Sequence, residues 1–171
     1  MKILVTGANG FISGYVVSEL LEHGYEVVGI DNFSKYGRVA KSYDQHPKFR
    51  LVEGDAKDVG LLKTLLSDCD HLLASAAMIG GISYFHQFAY DLIAENERIT
   101  AAAFDAAIGA HRERKLKKVT VLSSSMVYES ATLFPTPEGE QTRCPPPRST
   151  YGFQKLACEY FSDLPAPAFA T

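Results

Sequence analysis

The chain has 171 residues, enough for one domain with a sizeable core. Hydrophobic residues make up 46% and charged residues 22%, the balance of a globular protein, which excludes a disordered or fibrous chain. A net charge of −3 gives no electrostatic basis for binding nucleic acid, and no apolar stretch is long enough to span a bilayer.

The N-terminus runs from Met1-Lys2 straight into Ile3-Leu4-Val5, without the layout of a signal peptide. Cys69, Cys144 and Cys158 are odd in number and scattered. They suggest neither a disulfide framework nor a metal site, and point to thiols in a reducing cytoplasm.

Apolar runs alternate with helical patterns from the first residue. Lys2–Thr6 predicts a short buried strand. Residues 10–23 follow with Phe11, Val16, Val17, Leu20 and Leu21 at helical spacing, and Gly24 stops the helix. Glu26–Asp31 is a second strand, Phe49–Glu53 a third, and Val59–Leu66 a short helix. A fourth strand is expected at 71–75. Residues 88–111 read as one long helix, with alanine at 101, 102, 103, 106, 107 and 110. The basic run at 111–118 falls where that helix ends, and cations there complement its dipole. Residues 118–123 are the fifth strand, the proline-rich stretch 136–149 a surface loop, and 151–161 a last helix.

Strands separated by helices imply parallel pairing with right-handed crossovers. The continuous apolar character of VVGI and ILV indicates a sheet covered on both faces. The fold expected is therefore α/β, a doubly wound parallel sheet that binds ligands at the carboxyl ends of its strands.

The first strand ends in Thr6-Gly7-Ala8-Asn9-Gly10-Phe11-Ile12. Glycines there let the backbone turn sharply and approach a pyrophosphate, and the following helix directs free N–H groups at it. The third small position holds Ser13, where glycine is usual. Asp31 ends the second strand, 31 − 7 = 24 residues after Gly7. A carboxylate at that point accepts ribose hydroxyls and repels a 2′-phosphate, which favours NAD over NADP. It could instead form a turn before Asn32. Gly54-Asp55 after the third strand could place a carboxylate near the adenine, or make a plain strand-end turn.

Tyr151-Gly152-Phe153-Gln154-Lys155 sets Tyr and Lys at i and i+4 on one helix face. An ammonium beside a tyrosine favours the phenolate, so the tyrosine can take a proton from a sugar hydroxyl as hydride leaves for nicotinamide. The run Ser123-Ser124-Ser125-Met126-Val127-Tyr128 supplies hydroxyls at the end of the fifth strand.

In these motifs the chain resembles the extended short-chain dehydrogenases/reductases, and within them the nucleotide-sugar epimerases and dehydratases. Thr6 to Ile12 matches TGxxGFI, and Asp31-Asn32-Phe33-Ser34 resembles the DNFS turn. Ala76-Ala77 matches the alanine pair beside the cofactor. The resemblance implies a Rossmann-type sheet that here stops after about five strands. It also implies that Gly7, Asn9, Gly10, Phe11, Ile12, Asp31, Asn32, Ser34, Asp55, Ala56, Ala76, Ala77 and Ser123 bind NAD. By the same resemblance Ser124, Tyr151 and Lys155 are catalytic, and Lys155 and Tyr151 also touch the cofactor. The substrate contacts it implies are Gly80, Ser124, Ser125 and Tyr151. Asn96, inside the long helix, matches a recurrent asparagine of the family, or bonds locally.

The 4,6-dehydratases of the family carry an Asp-Glu pair just after the catalytic Thr, where this chain has Ser125 and Met126. Neither can act as a carboxylate acid or base. Met78-Ile79-Gly80-Gly81 resembles the loop of the 3,5-epimerases, which use a cysteine where Met126 stands. Simple oxidation and re-reduction at a carbinol carbon remains, as in 4-epimerases. A dehydratase or reductase, or a non-catalytic NAD-binding fragment or sensor, are the alternatives.

The resemblance implies an NAD-binding domain over residues 1–161 and, in the full-length family, a homodimer. Residues 162–171, with Pro165 and Pro167, match neither the sixth strand nor the substrate lobe expected next. They read as a truncated or frame-altered tail, and the chain alone is expected to be silent on nucleotide sugars and poorly stable.

Overall fold

A computed structural model describes residues 1–81, 87–113 and 116–163. The expected elements appear in the expected order, with ends displaced by one or two residues. They are β1 (Lys2–Thr6), α1 (Phe11–Glu22), β2 (Glu26–Asp31), β3 (Phe49–Glu53), α2 (Val59–Leu66), β4 (His71–Ala74), α3 (Ala89–Arg112), β5 (Lys118–Val121) and α4 (Thr150–Asp163). Short 3-10 turns lie at Ser125–Tyr128 and Glu140–Thr142. Of the basic run, His111 and Arg112 occupy the last turn of α3, while Arg114 and Lys115 lie outside the described residues. So does the tail after Asp163.

The strands form one sheet in the order β3-β2-β1-β4-β5. β1 pairs in parallel with β2 and with β4, and β2 with β3. Thr6 stands opposite Ile30 on one side and Ala74 on the other. The chain runs outward from β1 to β3 and then returns to β4 on the far side of β1. That reversal falls between β1 and β4, and in open α/β sheets ligands bind at the carboxyl ends of the strands at such a point.

The chain divides into two compact units. Residues 1–76 and 99–120 form the first, which holds the sheet as far as Thr120. The central strands are buried along their middles, with Leu4, Val5, Val27 and Ile30 fully enclosed. Burying each such side chain contributes about 1.5–3 kcal/mol. Leu62, Leu65 and Leu66 of α2 and Ala102, Ala103, Ala106, Ala107 and Ala110 of α3 complete this core. The alanines recur at helical spacing, so the stripe packs closely without large side chains. Asp58 caps α2, accepting the Leu61 N–H at 2.9 Å. Gly24, at φ +79°, ends α1 as expected, donating to Leu21 O at 2.9 Å while Tyr25 donates to Leu20 O at 3.0 Å.

Residues 77–98 and the described residues from 121 onward form the second unit. It contains the start of α3, the 125–128 turn and α4. Leu92, Val127, Tyr151, Leu156 and Cys158 are its buried side chains of largest apolar content.

Candidate functional site

Gly7 leaves β1 at φ +67°, in the left-handed region. A Cβ there would lie 2.9 Å from the Ala76 Cα, so only glycine lets the turn pass this close to the chain after β4. The turn is tied down by Gly7 N–H donating to Ile30 O at 2.8 Å and Gly10 N–H to Gly7 O at 3.0 Å. Gly10 precedes α1 in extended conformation, and no side chain caps the helix. The first-turn N–H groups are thus left to another acceptor, which is the arrangement that suits a phosphate. Phe11 and Ile12, 71% and 60% exposed, flank those groups. Although they fit the helical spacing in sequence, they belong to the open surface and not to the core. The turn therefore fits a dinucleotide on its own geometry.

The unusual Ser13 has a structural partner. It is buried, and its hydroxyl lies 2.9 Å from the Ser75 Oγ. Ser75 in turn donates to Thr6 O at 2.5 Å, and Thr6 Oγ1 accepts the N–H groups of Ser75 and Ala76. A serine at position 13 thus links α1 to the ends of β1 and β4, where glycine would only have packed.

Asp31 makes the turn expected as one of its two readings, and it also reaches the glycine turn. Its Oδ1 accepts the Phe33 N–H at 2.8 Å, a turn bond, and its Oδ2 accepts the Asn9 N–H at 2.9 Å. The second bond joins the carboxylate to the glycine turn. Each oxygen keeps a further lone pair for a ribose hydroxyl. Asn32 and Ser34 are exposed beside it, with Asn32 Oδ1 accepting the Ser34 N–H at 3.1 Å.

Asn9 is buried, and both ends of its amide are engaged. Nδ2 donates to Val39 O and Oδ1 accepts the Val39 N–H, each at 2.8 Å. Its side chain clamps the loop after β2. Asp55 makes the plain turn, accepting the Lys57 N–H at 2.8 Å, and Ala56 is buried behind it.

In the second unit Asn96 works as Asn9 does in the first. It is 2% exposed, accepts the Met78 N–H at 2.7 Å and donates to Met78 O at 2.8 Å. Its bonds reach 18 residues back in the chain and are not local to the helix. They fix the loop that holds Ala77 and Gly80, both half-buried.

β5 ends at Val121, earlier than expected, and residues 122–124 lead into the 125–128 turn. Ser124 caps that turn, its Oγ accepting the Met126 N–H at 3.2 Å. The hydroxyl proton is not used in that bond. Ser125 is exposed. The hydroxyl of Ser123 donates to Glu159.

α4 is set on this turn with little slack. A Cβ on Gly152 would lie 2.7 Å from Met126 O and 2.7 Å from the Pro147 Cβ. Ser149 Oγ accepts the Gly152 N–H at 3.0 Å, capping the helix, and Ser149 donates from both its N–H and hydroxyl to Glu129 at 2.9 Å. These contacts place Tyr151 and Lys155, both buried. Lys155 Nζ donates to Leu122 O at 2.7 Å. Burial pushes its ammonium below the usual lysine range, with the neighbouring Cys158 acting weakly the other way. Tyr151, Lys155 and Ser124 thus belong to one compact unit. The sequence reading missed the Glu129–Ser149 cap and the Glu159 contact, because both join residues at least 20 apart. The spacing of Glu159, eight after Tyr151, was the one available signal.

Among the described residues no cluster of His, Cys, Asp or Glu could hold a metal, and no helix is long and apolar enough to cross a membrane. No disulfide joins Cys69, Cys144 and Cys158, and burial pushes the Cys69 thiol up to about 12.

Residues 3–163 match the model of the NAD dependent epimerase/dehydratase family. The chain is 30% identical to a UDP-glucose 4-epimerase of Corynebacterium glutamicum, over 99% of its own length and 48% of that protein's. It superposes with a TM-score of 0.80 on a UDP-N-acetylglucosamine 4-epimerase from Methanobrevibacter ruminantium, at 26% identity, covering 94% of this chain and 49% of that one. The Bordetella bronchiseptica enzyme WbmG, solved in complex with NAD, matches with a TM-score of 0.73 at 25% identity over 94% of this chain and 48% of its own. The chain spans about half the length of the relatives it matches. On the glycine turn, the strand order and a family match that runs through nearly the whole chain, the protein belongs to the NAD dependent epimerase/dehydratase family.

Proposed function

We propose that this chain provides the NAD-binding and proton-transfer half of a nucleotide-sugar 4-epimerase. The observation that carries this is the placing of Ser124, Tyr151 and Lys155 in one unit with Ser125 and Met126 beside them. Acid/base chemistry is supplied by a hydroxyl, a phenol and an ammonium, and neither of the two residues after Ser124 is a carboxylate or thiol.

The glycine turn would hold the pyrophosphate of NAD, and the Asp31 carboxylate would accept its ribose hydroxyls. Bound there, NAD would supply the acceptor and donor of hydride for the carbinol carbon. Tyr151 removes the proton of the same hydroxyl group and returns it after the sugar has presented its other face. Ser124 donates its free proton to the substrate oxygen and orients it. Lys155, its ammonium tied to Leu122 O, stands one turn on from Tyr151 on the same helix face.

The family name and the similarity to 4-epimerases support this reading. Cysteines not joined in disulfides suit a cytoplasmic protein. The exposed side chains Phe153 and Tyr160 on α4 support a homodimer.

The test is a chimera of residues 1–161 with the remaining half of the C. glutamicum relative, assayed on UDP-, GDP- and dTDP-sugars. One sugar should interconvert with its C4 epimer. Tyr151→Phe should slow this by about 10²–10⁴-fold while NAD binding survives, and Ser124→Ala should lose less. Near wild-type turnover in Tyr151→Phe would show that the proton is carried elsewhere.

A further inference from the structure

Tyr151 and Lys155 are followed, one turn on, by Glu159. The three stand at i, i+4 and i+8 and share one stripe of α4. The stripe meets the segment after β5 at consecutive residues. Lys155 Nζ donates to Leu122 O, and the hydroxyl of Ser123 donates to Glu159 Oε1. Ser124 follows directly and caps the turn through Met126 N–H. The other oxygen of Glu159 accepts Gln141 Nε2 at 3.1 Å, from the 3-10 turn at Glu140–Thr142. One carboxylate therefore ties the residue before Ser124, the helix that carries Tyr151 and Lys155, and the loop between them.

A carboxylate suits this place because it offers two acceptor oxygens and no donor. Its partners are a hydroxyl and an amide N–H, and bonds to a charged acceptor are stronger than those between neutral groups. Without it the Ser123 side chain is free to turn, and the backbone that aims Ser124 loses its tether to α4. The bonds of Glu159 go to Ser123 and Gln141, so it acts on Ser124 and Lys155 through these neighbours.

We infer that Glu159 is a positioning residue, which sets the orientation of Ser124 and the seating of Lys155 through its bonds to Ser123 and Gln141. This rests on the function proposed above for Ser124 and Lys155.

The test uses the chain 1–171 and two readouts, ¹H–¹⁵N spectra of the free protein and calorimetric titration with NAD. Glu159→Ala should move the amide signals of Ser124 and Met126. It should also weaken NAD binding on the order of tenfold, the factor that accompanies loss of about one charged hydrogen bond. Ser123→Ala, which deletes only a hydroxyl, should move the same signals, and decides the matter if Glu159→Ala does not fold. Glu159→Gln combined with Gln141→Glu restores a donor–acceptor pair with the charge on the other partner, and should bring both readouts back toward wild type. A role in stability alone would lower the melting temperature of Glu159→Ala and leave the Ser124 and Met126 signals and the NAD affinity unchanged, which would overturn the inference. If the wild type itself fails to bind NAD, the proposed function falls, while the amide signals still decide whether Glu159 positions Ser124.

Discussion

At the scale of single residues, Gly7 shows how much of a binding turn depends on a missing methyl group. Its backbone is left-handed, and an added Cβ would meet the Ala76 Cα at 2.9 Å. Gly7→Ala should therefore cost about 1–3 kcal/mol of stability by overpacking alone, and the left-handed backbone adds to that. Urea unfolding reads the stability, and an NAD titration should show binding lost even where the variant folds. Gly7 was legible in the sequence because a glycine after a strand and before a helix has few other purposes. Asn9 was not. It stands in the same motif, yet its side chain is committed to Val39, 30 residues away, and nothing local announces that partner. Ser13 departs from the motif for a similar reason, since Ser75 lies 62 residues further on.

At the scale of elements, the sheet and its helices were legible because their signals are periodic and local. The course of β5 was less so. Residues 122 and 123 continue its apolar-to-polar run in sequence but bend away, because Leu122 O and the Ser123 hydroxyl bond to α4. The start of α4 likewise depends on a distant partner, Glu129. Ser149→Ala removes the cap on Gly152 N–H and one bond to Glu129, and should destabilise the protein by about 1 kcal/mol. It has a pH signature as well. The Ser149 N–H, first, and its hydroxyl hold the Glu129 carboxyl below the usual glutamate range. A carboxyl with a lowered folded pKa adds stability above its unfolded value, about 4.3, and that stability is lost as pH falls through the folded value. Denaturant midpoints taken from pH 7 downward should fall less steeply below about pH 4.3 in Ser149→Ala than in the wild type. Parallel acid limbs would mean that the Glu129 bond contributes nothing to folding.

At the scale of the whole molecule, the match to the family covers residues 3–163, while the chain spans about half of each relative compared. Fold and cofactor are therefore better determined than substrate. The chemistry proposed for Tyr151, Lys155 and Ser124 was legible in the sequence, because their spacing and their place after β5 repeat a family pattern. The sequence did not name the sugar, since none of the motifs read from it distinguishes one sugar from another. Cofactor binding also links to folding. NAD at 100 times its dissociation constant should stabilise the chain by about 2.7 kcal/mol, a rise in melting temperature of roughly 5–10 °C for a protein of this size.

The central claim is that the glycine turn and the Asp31 carboxylate form a site for NAD. Calorimetric titration of the chain with NAD and with NADP tests it most directly, with Asp31→Ala beside the wild type. The wild type should bind NAD at least about tenfold more tightly, because a 2′-phosphate would face the carboxylate, and Asp31→Ala should narrow the gap by weakening NAD and relieving the repulsion of NADP. Equal affinity for the two in the wild type, or tighter binding of NADP, would contradict the account.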